Sequence, residues 1–108
     1  MTTLTPIDAK TLAARLKAGQ ATLIDIRDPD EYAREHIAGA VSVPLSSLER
    51  GRLNVEPQGD VVFHCKSGMR TNANCARLAA HVDGAAFVLD GGIEAWKQAG
   101  LGVERSRS

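Results

Sequence analysis

Four short apolar runs set the terms on which this chain can fold: TLIDI (Thr22 to Ile26), VSVP (Val41 to Pro44), VVFHC (Val61 to Cys65) and AAFVLD (Ala85 to Asp90). Each is rich in β-branched or aromatic residues, and each leads into a helix-starting signal. Short apolar strands that alternate with helices build a mainly parallel sheet covered on both faces, which predicts an α/β fold. The helix signals are specific. Thr5-Pro6-Ile7-Asp8 offers an N-cap with proline at the first helical position, and Ile7, Leu12 and Leu16 give a partial apolar stripe up to about Ala18, before Gly19. Asp28-Pro29-Asp30-Glu31 has capping-box spacing and opens a helix of only two turns, because HIAGA (His36 to Ala40) follows. Ser46-Ser47-Leu48-Glu49 caps a third, short helix ended by Gly51, and Pro57-Gln58-Gly59 marks a turn. A helical pattern then runs from Arg70 to His81, Asp83-Gly84 turns the chain, and Gly91-Gly92 leads into IEAWKQAG, where Gly100 suits the C-cap region.

With 108 residues the chain is expected to form one domain, residues 1–108, which buries enough surface to fold without a disulfide or a metal. Thirteen basic residues balance thirteen acidic ones, which argues against a nucleic-acid or membrane-surface partner. Arg105 and Arg107 read as a frayed basic end. MTTLTPIDAK lacks the basic and apolar pattern of a secretory signal, and no run approaches the roughly 18 apolar residues that cross a bilayer. Two cysteines without CxxC spacing make neither a zinc site nor a disulfide framework. The expectation is a cytoplasmic protein with free thiols and no cofactor or metal.

The most informative stretch is HCKSGMRTNANC (His64 to Cys75). Cys65 ends an apolar strand and opens a loop of Lys66, Ser67, Gly68 and Met69 that reaches Arg70 just before a helix. In a parallel sheet, ligands collect beyond the carboxyl ends of the strands, and Asp25 and Arg27 end a second strand at the same edge. A loop curling in front of a helix N-terminus turns backbone N–H groups inward, and Gly68 eases the bend. The unpaired amides and the dipole of a helix N-terminus, with nearby cations, draw a cysteine pKa from about 8.5 towards ~3.5–7.5, and Lys66 and Arg70 add positive charge. Cys65 is thus the candidate nucleophile, set in an anion cradle of residues 66–70. Cys75, Leu78, Ala79 and Val82 share a helix face, so Cys75 is expected in the core, and a Cys65–Cys75 disulfide is disfavoured by geometry. His64 should point away from Cys65, His81 suits a helix C-terminus and His36 has no evident partner. Without a Cys–His pair, a cysteine-protease chemistry is a poor fit. Trp96, three residues from Ile93, is expected in the core.

Three segments in this order, LIDIRDPDEYAREHIAGAVSVPL, VVFHCKSGMRT and VLDGGIEAWKQAGLGV, resemble the rhodanese-domain sulfurtransferase family, including the rhodanese domain of membrane-anchored bacterial homologues. With the first helix, the resemblance spans essentially the whole chain. It implies a three-layer fold with about five mostly parallel strands. It also implies a mechanism in which Cys65 takes sulfur from a donor such as thiosulfate or a persulfide and passes it, as a persulfide, to a thiol or cyanide. The family's Asp-x-Arg element falls on Asp25 and Arg27, which implies a supporting role for them. Related phosphatases use a Cys-to-Arg loop one residue longer, so sulfur transfer stands ahead of a phosphatase or arsenate-reductase chemistry. A non-catalytic regulatory or interaction module is the other reading that the resemblance permits. The chain is either a natural single domain or a piece of a membrane-anchored protein.

Overall fold

In this computed structural model, residues 4–50 and 57–105 are described. Strand β5 (Asp60–His64) shows how the sequence builds the core. Its side chains alternate between two apolar clusters, with Val61 and Phe63 on one face of the sheet and Val62 on the other. Strand β2 (Ala21–Asp25) does the same, sending Ile24 to the first cluster and Leu23 to the second. A sheet that is apolar on both sides has to be covered on both. Helices α3 (Leu45–Arg50) and α5 (Cys75–Ala79) close the first face through Leu48 and Leu78. Helices α1 (Ala9–Lys17) and α6 (Gly92–Gln98) close the second through Leu12, Ile93 and Trp96.

Among the described residues the sheet has five strands, all paired in parallel, in the order β1-β6-β5-β2-β4, with β4 at Val41–Ser42 and β6 at Ala86–Leu89. Strands β2 and β5 are neighbours in a register that pairs Asp25 with His64, so their carboxyl ends open at one edge. Among the described residues, no helix is long and apolar enough to cross a membrane.

Several expectations need correction. The segment read as the first helix start is strand β1 (Leu4–Ile7), and Asp8 is the true N-cap, accepting from the Thr11 amide at 2.7 Å. Proline suits β1 because, among the described residues, this strand lies at the sheet edge and pairs only with β6. Helix α3 already runs at Leu45, with Ser47 and Leu48 amides donating to the Pro44 carbonyl, so Ser46 is inside the helix and not its cap. The proposed stop at Gly51 and the basic Arg107 lie outside the described residues. The pattern over 70–81 is not one helix. It breaks at Asn74 into α4 (Met69–Ala73) and α5. The Asn74 side-chain amide donates to the Arg70 carbonyl at 2.7 Å, while its own carbonyl accepts from the Leu78 amide at 2.9 Å. Local side-chain bonding thus closes one helix and starts the next. His81 falls in the turn beyond α5.

HIAGA contains β3 (His36–Ile37), which pairs antiparallel with β7 (Val103–Glu104) in a small second sheet. His36 does have partners. Its ring stacks on Tyr32 at 3.9 Å, and Nδ1 donates to the Tyr32 carbonyl at 2.8 Å. The helix of the two-turn capping box appears as expected: α2 (Pro29–Arg34), with the Asp28 amide donating to Glu31 Oε1. Gly100 also falls where expected, just past the end of α6. Gly100 and Leu101 amides bond back to Lys97 and Trp96 carbonyls in a Schellman arrangement.

Candidate active site

Beyond His64 the chain leaves the sheet and curls, and the curl is centred on a sulfur atom. Cys65 is 1% exposed. Gly68, at φ +100°, turns its amide inward to donate to Cys65 Sγ at 3.1 Å. The Thr71 hydroxyl lies 3.7 Å from the same sulfur, and the amides of Thr71 and Arg70 also favour its ionised form. Burial pushes the Cys65 thiol up, but these bonds, led by those from Thr71, outweigh it and the net pKa lies below the ordinary thiol value. Because α4 is only five residues long, the stabilisation comes from local amides and not from the dipole of a long helix.

Thr71 was not among the candidates read from sequence. A hydroxyl three residues after Gly68 in the first turn of a helix was the available signal. Its hydroxyl donates to the Gly68 carbonyl at 2.9 Å, so its single proton is engaged while Cys65 is a thiol. On ionisation, that proton can turn to the sulfur. Thr71→Val, which keeps the shape and removes the hydroxyl, should therefore raise the thiol pKa. In a Cys75→Ser background, the pH midpoint of alkylation should move upward; an unmoved midpoint would leave the amides as the sole source of the shift.

The other predicted loop residues divide. Lys66 and Ser67 are exposed, as is Met69 at 76%. Arg70 is half-buried and turned to Glu31 on α2, with two parallel bonds of 2.8 and 3.0 Å to the two carboxylate oxygens. Its guanidinium is therefore shared with a carboxylate that the sequence reading had placed only in a helix cap. The hydrogen bond from Arg70 pulls the Glu31 carboxyl down to about 2, the main downward cause, against burial. The sign follows: the pair's stabilisation is complete above the usual pKa near 4.5 and is lost as pH falls towards about 2. Glu31→Gln should cost about 1–2 kcal/mol at neutral pH, allowing for the solvent that reaches Arg70. Urea unfolding should show that gap narrowing between pH 4.5 and 2; a constant gap would assign the loss to something other than the charge.

Behind the loop, Asp25 and Arg27 form a buried ion pair, 0% and 4% exposed. Arg27 Nη2 donates to Asp25 Oδ2 at 2.8 Å and to the Glu35 carbonyl at 2.7 Å, and the Arg27 amide donates to Asp25 Oδ1 at 3.0 Å. His64 joins them. As alternation requires, its ring lies on the opposite face from the Cys65 side chain, yet Nδ1 donates to the Cys65 carbonyl at 3.1 Å. Among the described residues, His64 Nε2 has no hydrogen-bond partner, and it faces Asp25 Oδ2 at 3.5 Å. Burial lowers its pKa, against the pull of Asp25. The Cys65 carbonyl also accepts from the Ile93 amide, and the Lys66 carbonyl from the Glu94 amide, so α6 grips the start of the loop. Cys75 is half-buried, packs on the first cluster and carries no bond to the loop, and both cysteines are free. Trp96 is buried, with its indole N–H on the Gly102 carbonyl.

The family model of the rhodanese-like domain matches this chain over residues 8–99. The chain belongs to the rhodanese-like domain family. This rhodanese-like domain is 36% identical to the Synechocystis protein slr1261 over 94% of the chain and 57% of that protein. It is 35% identical to a sulfurtransferase of Allochromatium vinosum, covering 90% of the chain and 92% of that protein. In structure it resembles a thiosulfate sulfurtransferase from Pseudomonas aeruginosa, with a TM-score of 0.78 and 33% identity over 98% of the chain and 20% of that protein. The rhodanese-like domain thus spans little more than half of the slr1261 relative and a fifth of the Pseudomonas protein.

Proposed function

We propose that this rhodanese-like domain is a sulfurtransferase that carries sulfane sulfur on Cys65 from an anionic donor such as thiosulfate to a thiol or cyanide. The observation that carries the reading is the buried Cys65 sulfur enclosed by its own loop, with the Gly68 amide donating to it at 3.1 Å and the Thr71 hydroxyl 3.7 Å away. In the first step the Cys65 thiolate attacks the outer sulfur of thiosulfate. A new S–S bond forms, the S–S bond of thiosulfate breaks, and its electron pair leaves on sulfite. The terminal persulfide sulfur then carries the negative charge, and preorganised N–H donors around it stabilise charge without reorganising. In the second step an acceptor thiolate or cyanide attacks that outer sulfur, and the electron pair of the breaking bond returns to Cys65.

Lys66 supplies mobile positive charge at the loop entrance. Arg70 docks the loop on α2 through Glu31 and lends part of its charge to the sulfur. Ser67, Gly68 and Met69 complete the turn. Asp25 and Arg27 act from behind, holding the strand ends in register beneath the Cys65 carbonyl.

The test is intact mass after incubation with thiosulfate. The wild type should gain one sulfur atom, and cyanide or a thiol should remove it. A folded protein with a titratable thiol that gains nothing would sink the reading and favour a binding module.

A further inference from the structure

The ring of His64 has no task in the two sulfur-transfer steps, yet it is built tightly into the structure behind Cys65. It is 0% exposed and stands beside Asp25, its register partner on β2. A buried polar ring costs stability unless its nitrogens are bonded, so its presence calls for a reason. The two nitrogens differ in their surroundings. Nδ1 lies 3.1 Å from the Cys65 carbonyl, and a carbonyl oxygen only accepts, so Nδ1 carries a proton. Nε2 stands 3.5 Å from Asp25 Oδ2 and has no hydrogen-bond partner among the described residues. Arg27 accounts for that. Every hydrogen bond that the Asp25 carboxylate accepts among the described residues comes from Arg27, whose Nη2 and Nε reach Oδ2 at 2.8 and 3.2 Å. With the carboxylate so occupied, little draws the ring proton across to Nε2.

From this arrangement we infer that His64 is a positioning residue for Cys65, and that the Asp25–Arg27 pair serves it by keeping its proton on Nδ1. The Cys65 carbonyl has two lone pairs and two donors, His64 Nδ1 at 3.1 Å and the Ile93 amide at 3.0 Å. Together they fix the plane of the peptide that joins Cys65 to Lys66, and the loop hangs from that plane. At its far end the loop is tied by the Thr71 hydroxyl, which donates to the Gly68 carbonyl at 2.9 Å. Held at both ends, the backbone presents the Gly68 amide to Sγ at 3.1 Å. With the Ile93 amide alone the peptide can rock, and the sulfur then loses donors that favour its anion. His64 touches no reacting atom and exchanges no proton with one. Its part in sulfur transfer rests on the sulfurtransferase reading; its hold on the thiol does not.

Three substitutions separate the two nitrogens. His64→Asn puts an amide N–H where Nδ1 stands, His64→Gln puts one nearer to Nε2, and His64→Leu removes both. Each is made in a Cys75→Ser background, and the pH midpoint of Cys65 alkylation is measured beside the rate of persulfide formation from thiosulfate. His64→Gln and His64→Leu should raise the midpoint by about one unit and slow persulfide formation about tenfold at a pH below both midpoints. His64→Asn should keep both near their wild-type values. Packing alone predicts the reverse order, because asparagine leaves the largest void of the three. Midpoints that stay put in all three variants, that shift equally, or that follow void size would overturn the inference. Nitrogen-resolved NMR of the His64 ring in the unaltered chain needs no variant to fold. A proton on Nδ1 is expected there, and a bare Nδ1 would overturn the assignment. A wild type that gains no sulfur from thiosulfate would refute the sulfurtransferase reading, while the midpoints and the ring proton would still decide the role of His64.

Discussion

Cys65→Ser is expected to give a folded protein with no sulfur-transfer activity. The serine hydroxyl is smaller than the thiol and can still accept from the Gly68 amide, which donates to Sγ at 3.1 Å in the native loop. Loss of a buried sulfur contact should therefore change stability by no more than about 1 kcal/mol. Chemistry is another matter. Amides that bring a thiol into the range of a thiolate cannot do so for an alcohol, and an oxygen cannot carry the transferred sulfur as a persulfide. Cys75→Ser is the companion. Cys75 packs against the core from a half-buried position, remote in its bonding from the cradle, and most turnover should survive its replacement. Thiosulfate–cyanide turnover for the two variants, each checked by denaturant unfolding, decides the matter. Equal losses would remove Cys65 from its special place.

Gly92→Ala should damage both the fold and the loop. Gly92 sits at φ +62°, and a Cβ there would lie 2.5 Å from the carbonyl oxygens of both Cys65 and Lys66. Those carbonyls cannot drift aside freely, because they accept from the Ile93 and Glu94 amides at 3.0 and 3.1 Å. The methyl group would push on the two residues that carry the Cys65 sulfur into its loop. Left-handed strain and overpacking together should cost about 2–4 kcal/mol. Persulfide formation in the molecules that remain folded should fall as well, since the sulfur is displaced from its donors. Gly102→Ala is the control, because a Cβ there meets nothing within 4 Å. Urea midpoints and mass after thiosulfate treatment report the two effects. A Gly92→Ala protein within about 0.5 kcal/mol of the wild type would show that the loop yields without resistance.

What could be read from the sequence was what local pattern governs. Strands β2, β5 and β6 are continuous apolar runs, and their side chains face two cores, so composition alone marks them. Cys65 was visible because a strand end, a glycine and a basic residue coincide within six positions. Strand β1 was hidden because Thr5-Pro6 favours a helix start locally, and only its place at the sheet edge makes it a strand. The break at Asn74 was hidden because an asparagine fits a polar helix face equally well. Long-range pairs left no local trace. Glu31 reads as a capping residue, yet it meets Arg70 across 39 positions, and His64 meets Asp25 only because β2 and β5 are neighbours in one register.

The near-complete closure around Cys65 has a consequence for traffic. A residue 1% exposed offers little face to the surroundings, although its thiol pKa is held below the ordinary value. Any sulfur parked on it would be guarded by fit and not by inertness. Bulky scavengers would have to wait for the loop to open, so premature discharge would run at the pace of that opening and not at the intrinsic speed of thiol exchange. On the proposed sulfurtransferase reading, a sulfur atom on Cys65 would then be held until an acceptor reached it.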